Sequence, residues 1–249
     1  MQLEKSSVYG PIWSRRFGWD IGINLLPTDR KICSFNCVYC QYGFTGPLRN
    51  THFAFPSAPD IIPALNQQIL SCAKNGIQIT HTTISGNGEP IMHPQFERFI
   101  PELISWRDKN FPFIKIALLS TGYRVKNSRI RAAMQMVDEP VVKFDTGDPG
   151  KWLKLNQPIV PFSFQEFVND LKAFKRLILQ TMFVKGWNDS ADDLMLWRKC
   201  LKEIRPSSVQ IYTIQRAPAD PALTPVENEF LRKVSSETAS ILQMKIDYF

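Results

Sequence analysis

Trp19-Asp20-Ile21-Gly22-Ile23-Asn24-Leu25 leads into Cys33-Ser34-Phe35-Asn36-Cys37-Val38-Tyr39-Cys40. The first stretch alternates apolar and polar residues with the period of two that marks a β-strand. Trp19, Ile21, Ile23 and Leu25 share one face, and Asp20, Gly22 and Asn24 share the other. The second stretch gathers three of the chain's five cysteines in a C-x3-C-x2-C spacing. Thiolates are soft, strongly binding ligands for iron–sulfur clusters and zinc. Three of them on one loop can face one metal centre. A cubane 4Fe–4S cluster held by only three thiolates keeps one iron free of protein ligands, and an open iron can host chemistry.

Outward from this loop, short apolar runs alternate with longer amphipathic segments. Strands are predicted over 19–25, 77–85, 113–120, 141–145, 177–184 and 209–214, and helices near 60–74, 94–109, 126–137, 163–175, 190–204 and 226–244. Pro59, Pro94 and Pro225 sit near helix starts and Gly76 follows the first helix, as helix punctuation requires. Six strand-then-helix units argue for an α/β fold with a parallel sheet, curled by right-handed crossovers into a partial or full barrel. The later strands repeat the alternation. Lys143 and Asp145 alternate with Val142 and Phe144, and Gln180, Gln210 and Tyr212 alternate with apolar neighbours. A face covered by helices holds charge only at high cost. The polar sets therefore point into the barrel, unless a strand is an edge with a wet face. The active site is expected in loops at the carboxyl ends of the strands, and the cysteine loop follows the first of them.

Composition bounds the rest. The 249 residues, 44% hydrophobic and 21% charged, suit a single domain spanning 1–249 with a sizeable core. A net charge of +7 is compatible with an anionic partner such as nucleic acid. The densest basic stretch holds Arg124, Lys126, Arg129 and Arg131, which also reads as a solvated helix face. Five cysteines, three of them clustered, do not resemble a secreted disulfide framework. No signal-type segment and no long apolar run is apparent, so the expectation is a cytoplasmic protein without membrane association.

Two rival occupants of the cysteine loop remain open. One is zinc in a Cys3His set with His52 as the fourth ligand, although structural zinc sites commonly pair two knuckles and only one is present. The other is a ferredoxin-like cluster, which wants a fourth cysteine. Cys72 and Cys200 both fall in predicted helices, where they read as small apolar residues. A second motif, Ser85-Gly86-Asn87-Gly88-Glu89-Pro90, ends the second predicted strand. Its glycines allow close approach of a ligand to the backbone, and Glu89 can accept from an ammonium group. His81 and His93 read as structural histidines.

Together the two motifs resemble the radical SAM superfamily. The resemblance implies a (β/α)6 partial TIM barrel with one 4Fe–4S cluster on Cys33, Cys37 and Cys40. It implies that S-adenosyl-L-methionine chelates the open iron, with Tyr39 beside the cluster and near the adenine. Gly88 and Glu89 match the GGE-type motif that binds the methionine amino group, while Asn87 replaces its first glycine. Leu119-Ser120-Thr121-Gly122 resembles a Thr-Asn-Gly segment of relatives. Ser120, Lys143, Asp145 and Gln180 are the further cofactor contacts expected. Asn24, Gln210, Tyr212 and Arg216 are the candidate substrate contacts.

The likeness extends through residues 9–18 and 22–27, and through Lys154-Leu155-Asn156-Gln157-Pro158, 180–189 and 210–218. It is to the bacterial and archaeal group similar to wyosine-type tRNA synthases. Those synthases carry a second cluster on amino-terminal cysteines, and residues 1–32 here contain none. The resemblance implies a flavodoxin- or ferredoxin-type electron donor, reductive cleavage to a 5′-deoxyadenosyl radical, and hydrogen abstraction from a substrate. An RNA substrate is the alternative enzyme reading, and a non-enzymatic iron–sulfur or zinc module is the third.

Overall fold

A computed structural model of the protein describes residues 3–46 and 53–249. Eight strands form one sheet in the order β1-β2-β3-β4-β5-β6-β7-β8. The six predicted strands are β2 (Gly18–Ile23), β3 (His81–Ile84), β4 (Lys115–Ser120), β5 (Glu139–Lys143), β6 (Ile178–Phe183) and β7 (Ser208–Thr213). All six run parallel. Between and after them lie α1 (Ala58–Lys74), α2 (Phe96–Asn110), α3 (Ser128–Met136), α5 (Phe164–Leu171), α6 (Ala191–Ile204) and α7 (Asn228–Leu242). The curled sheet is the partial barrel expected of the fold.

Two strands and one α-helix were not anticipated. β1 (Val8–Ser14) pairs antiparallel with β2 and contains Gly10-Pro11, which breaks a strand pattern. Its register shifts between Tyr9 and Ile12 to accommodate them. β8 (Ile246–Tyr248) has three residues, too few to show a period. α4 (Pro149–Asn156) opens on Pro149-Gly150, which reads as a turn. Asp148 converts that turn into a helix start by accepting from Gly150 N at 2.7 Å and Lys151 N at 3.0 Å.

The alternation of β2 sorts as its chemistry requires. Ile21 and Ile23 are fully buried and join the core beneath the helices, with Ile61, Leu65, Ile100 and Leu103. Burying each such side chain contributes about 2 kcal/mol. α1 presents Ile61, Leu65, Ile69 and Cys72 to that core at helical spacing, and Ser57 and Asp60 close a capping box at its start. On the other face of β2, Gly22 leaves room for the Tyr9 ring, which a Cβ would strike. Cys72 and Cys200 lie in α1 and α6 as expected. Among the described residues, no helix is long and apolar enough to cross a membrane.

Candidate active site

The carboxyl ends of the parallel strands surround a cavity of about 440 Å³. Cys33, Cys37 and Cys40 line it from the loop after β2, and Gly88 and Glu89 from the loop after β3. Ser120, Lys143, Gln180 and Tyr212 line it from β4, β5, β6 and β7. Residues far apart in sequence thus meet because they lie on, end or follow neighbouring strands.

The cysteine loop is pinned on two sides. Ile32 N donates to Asn87 O at 2.9 Å, and Glu89 N donates to Ile32 O at 2.8 Å. Gly88 sits between these bonds with φ +133, where a Cβ would strike the Ile32 carbonyl oxygen. On the far side, the end of α4 receives Asn36 N (on Asn156 O, 3.1 Å) and Val38 N (on Leu155 O, 2.9 Å). Phe35 anchors the loop against Trp152 and Phe162, with ring centroids 5.3 and 5.6 Å away.

The three cysteines are free thiols. Burial, and then the charge of Asp145, pushes Cys37 up to about 11, against a hydrogen bond from Asn156. Burial also pushes Cys33 up strongly, helped by Glu89. Buried thiols of this kind stay protonated near neutral pH until a metal displaces the proton. Two donors face the sulfurs: Lys31 Nζ lies 3.2 Å from Cys40 Sγ, and Asn156 Nδ2 lies 3.5 Å from Cys37 Sγ. Among the described residues, no three His, Cys, Asp or Glu side chains converge on a point where one metal ion would sit. The three thiols line one cavity, and such a soft donor set suits an iron–sulfur cluster or zinc. His52, the fourth ligand of the zinc alternative, lies outside the described residues.

Glu89 is 1% exposed and ties three loops together. Its carboxylate accepts from Ser120 Oγ at 2.8 Å, from Ile91 N at 3.2 Å and from Thr121 N. Burial raises its pKa, and the hydrogen bonds from Thr121, Ser120 and Ile91 oppose that rise. Thr121 bonds Glu89 through its backbone N–H, and its hydroxyl meets Ser34 Oγ at 3.3 Å. Asn87, which replaces a glycine, binds the amino-terminal segment: its amide accepts from Glu4 N at 2.7 Å and donates to Glu4 O and Pro27 O.

Lys143 projects between two aromatic faces, 4.9 Å from the Tyr39 centroid and 4.7 Å from that of Tyr212. It donates to Tyr212 Oη at 2.6 Å and pairs with Asp145 Oδ1 at 3.3 Å. Burial alone would lower its pKa; Asp145 and Tyr212 outweigh burial and raise it. Asp145 lies behind this layer, accepting from Met182 N at 2.8 Å, from Asn156 Nδ2 at 2.7 Å and from the Tyr39 hydroxyl. It orients Lys143 and Tyr39 rather than lining the cavity.

Of the candidate substrate contacts, Tyr212 and Arg216 line the cavity, and Arg216 donates to Gln41 Oε1 at 3.0 Å. Gln210 lies deeper and accepts from Gln180 at 3.2 Å. Asn24 is fully buried, with its amide spent on Leu26 and on Asn87 N, so it shapes the two loops from behind. Of the basic stretch, Arg124 and Arg131 bond backbone carbonyls and Lys126 pairs with Glu166.

Sequence reading passed over Asn156, Lys31, Arg16 and Thr83 as site residues. Asn156 lay in the quoted 154–158 segment, but its link to Cys37, Tyr39 and Asp145 depends on the unanticipated α4. Arg16 Nη1, Asp20 Oδ1 and Thr83 Oγ1 are buried without a hydrogen-bond partner, and all three residues line the cavity. They sit on the β1–β2 turn, β2 and β3. The Arg16 guanidinium lies 5.2 Å from the Tyr212 centroid. Such orphaned groups are costly unless a ligand or water meets them.

Asp20 makes a measurable prediction. Burial pushes its carboxyl up to about 6, against the pull of the Thr83 hydroxyl, then of His81 and Arg16. A raised carboxyl pKa favours the fold fully below about pH 4, and that contribution is lost as pH rises through about 6. Asp20→Asn should therefore match the wild type in urea unfolding near pH 4 and exceed it by roughly 2–3 kcal/mol at pH 7.5. A difference that does not change with pH would refute this assignment.

No family model matches the chain. A protein named GTPase Obg of Brachyspira hyodysenteriae is 26% identical over 251 residues, covering 99% of this chain and 35% of that protein. A UPF0026 protein of Helicobacter pylori is 28% identical over 237 residues, covering 90% of this chain and 71% of that protein. The S-adenosyl-L-methionine-dependent tRNA 4-demethylwyosine synthase TYW1B of Homo sapiens is 23% identical over 207 residues, covering 74% of this chain and 29% of that protein. This chain thus spans about a third of the first and third relatives' lengths.

Among solved structures, a radical SAM methyltransferase from Sphaerobacter thermophilus aligns with a TM-score of 0.69 at 11% identity, over 92% of this chain and 65% of that one. TYW1 with a lysine-pyruvate adduct bound aligns with a TM-score of 0.64 at 13% identity, over 89% of this chain and 73% of that one. The chain thus shares the fold of a radical SAM methyltransferase and of TYW1, and its sequence is similar over most of its length to UPF0026 proteins and to a tRNA wyosine synthase.

Proposed function

We propose that this protein is a radical SAM enzyme holding one 4Fe–4S cluster on Cys33, Cys37 and Cys40, with S-adenosylmethionine bound beside it. The observation that carries this reading is that three free thiols and the buried Glu89 carboxylate line one cavity at the carboxyl ends of the strands. When bound, the cluster and S-adenosylmethionine together supply a 5′-deoxyadenosyl radical that takes a hydrogen atom from a substrate. A flavodoxin- or ferredoxin-type donor provides the electron.

The chain's own residues position and shield these groups. Glu89 accepts from the methionine ammonium, with Gly88 allowing close approach and Ser120 holding the carboxylate in place. Lys143 donates into the cavity toward ribose or carboxylate oxygens, with Asp145 behind it. Tyr39 covers the cluster side of the cavity, and Gln180 and Tyr212 form the wall opposite. Arg16, Asp20 and Thr83 offer polar groups to a substrate in the cavity.

Anaerobic reconstitution with iron and sulfide tests the cofactor assignment. The expected product is brown, with iron and sulfide in cubane proportion, and its visible spectrum changes when S-adenosylmethionine is added. One zinc per chain without sulfide would instead establish a zinc module.

An RNA substrate is the second reading. It is supported by the +7 charge and by the tRNA wyosine synthase relative. RNA binding that weakens steeply with salt is expected on this reading, and no binding at low salt would remove it.

A further inference from the structure

Lys31 begins the cysteine loop and is 8% exposed. Its ammonium donates to Cys40 Sγ at 3.2 Å and to the Gly43 carbonyl at 2.5 Å. Among the described residues, no carboxylate pairs with it. The contrast with Lys143 is direct: that buried ammonium has Asp145 at 3.3 Å. An ammonium out of water without an anion is costly to hold. Lys31 therefore lacks a negative partner, and the sulfur beside it becomes one when Cys40 is a metal-bound thiolate.

We propose that Lys31 is the charge partner of the cluster, donating to the Cys40 thiolate and raising the cluster's reduction potential. The inference rests on the single-cluster reading above. An electron added to a cluster held by Cys40 would add negative charge next to the ligand that the ammonium touches. The cation and its hydrogen bond to sulfur favour that reduced form. A neutral residue at position 31 leaves the reduced cluster less stable, so a donor of given potential loads fewer electrons. Lys31 is a positioning residue in this account: it touches a ligand of the cluster, not the reacting carbon or hydrogen.

The rival role is purely mechanical. Gly43 N also donates to Cys40 O at 3.1 Å, so Lys31 could serve only to close that turn. Lys31→Gln keeps a donor for Gly43 without the charge, Lys31→Met removes both, and Lys31→Arg keeps the charge. Each is reconstituted anaerobically, analysed for iron and sulfide, and titrated electrochemically with the reduced cluster followed by EPR, without S-adenosylmethionine.

The expected result is a lower midpoint potential in both neutral variants at full cluster content, with Lys31→Arg near the wild type. Loss of cluster from both neutral variants but not from Lys31→Arg, with the apo fold equally stable, would also support charge pairing. Unchanged potentials in neutral variants that hold full clusters would overturn the inference. So would cluster loss in all three variants, because shape rather than charge would then matter. Weakened S-adenosylmethionine binding with unchanged potential would overturn it too, placing Lys31 on the cofactor carboxylate. A wild type that takes up no cluster would instead refute the single-cluster reading itself.

Discussion

Glu89→Gln is expected to lower S-adenosylmethionine cleavage by roughly 10²–10³-fold, a loss of about 3–4 kcal/mol, with iron and sulfide content unchanged. The carboxylate has no water to fall back on and accepts from Ser120 Oγ, Ile91 N and Thr121 N. An amide keeps the shape but turns one acceptor oxygen into a donor. That donor faces either the Ile91 N–H or the Thr121 N–H, and a buried donor opposed to a donor leaves both unsatisfied. The charge that meets the methionine ammonium is lost as well. Rates of 5′-deoxyadenosine release and cofactor titration give the two readouts. A variant within about threefold of the wild type would remove Glu89 from the cofactor site.

Gly88→Ala is expected to destabilise the fold by roughly 3–4 kcal/mol and to reduce cluster uptake with it. Two causes add. Gly88 has φ +133, which side chains rarely adopt, and its Cβ would strike the Ile32 carbonyl oxygen. That oxygen accepts from Glu89 N, so relieving the clash breaks the bridge that joins the cysteine loop to the Glu89 loop. Gly76→Ala provides the control: its φ is +73 but nothing lies within 4 Å of a new Cβ. It should cost only about 1 kcal/mol and leave the cluster intact. Equal losses in the two variants, measured by urea unfolding, would show that backbone strain alone acts and that the bridge does not matter.

The strands and cysteine loop were legible because their signals are local. Alternation in 19–25 assigned Ile21 and Ile23 to the helix side and Asp20 to the cavity, and both assignments hold. The same rule overreached for Asn24, Asp145 and Gln210. Asn24 and Asp145 lie past the ends of β2 and β5, where the pleat no longer fixes direction, and Gln210 is covered by its neighbour Gln180. Asn156 was hidden because its role depends on a helix opening with Pro-Gly. Lys31 and Arg16 were hidden for a different reason. A lysine or arginine beside a loop reads as solvated, and only the fold shows that one meets a cysteine sulfur and the other has a nitrogen without a partner. The departures Asn87 and Thr121 now have physical accounts, one through its side-chain amide and the other through its backbone N–H and its hydroxyl.

The most direct test of the central claim is the product of S-adenosylmethionine in the reconstituted, chemically reduced protein under anaerobic conditions. The account predicts 5′-deoxyadenosine and methionine in equal amounts, formed only with cluster and reductant present and absent from the Cys37→Ala variant. A fully loaded, reducible cluster that binds S-adenosylmethionine yet yields no 5′-deoxyadenosine, with RNA and small-molecule pools supplied, would contradict it.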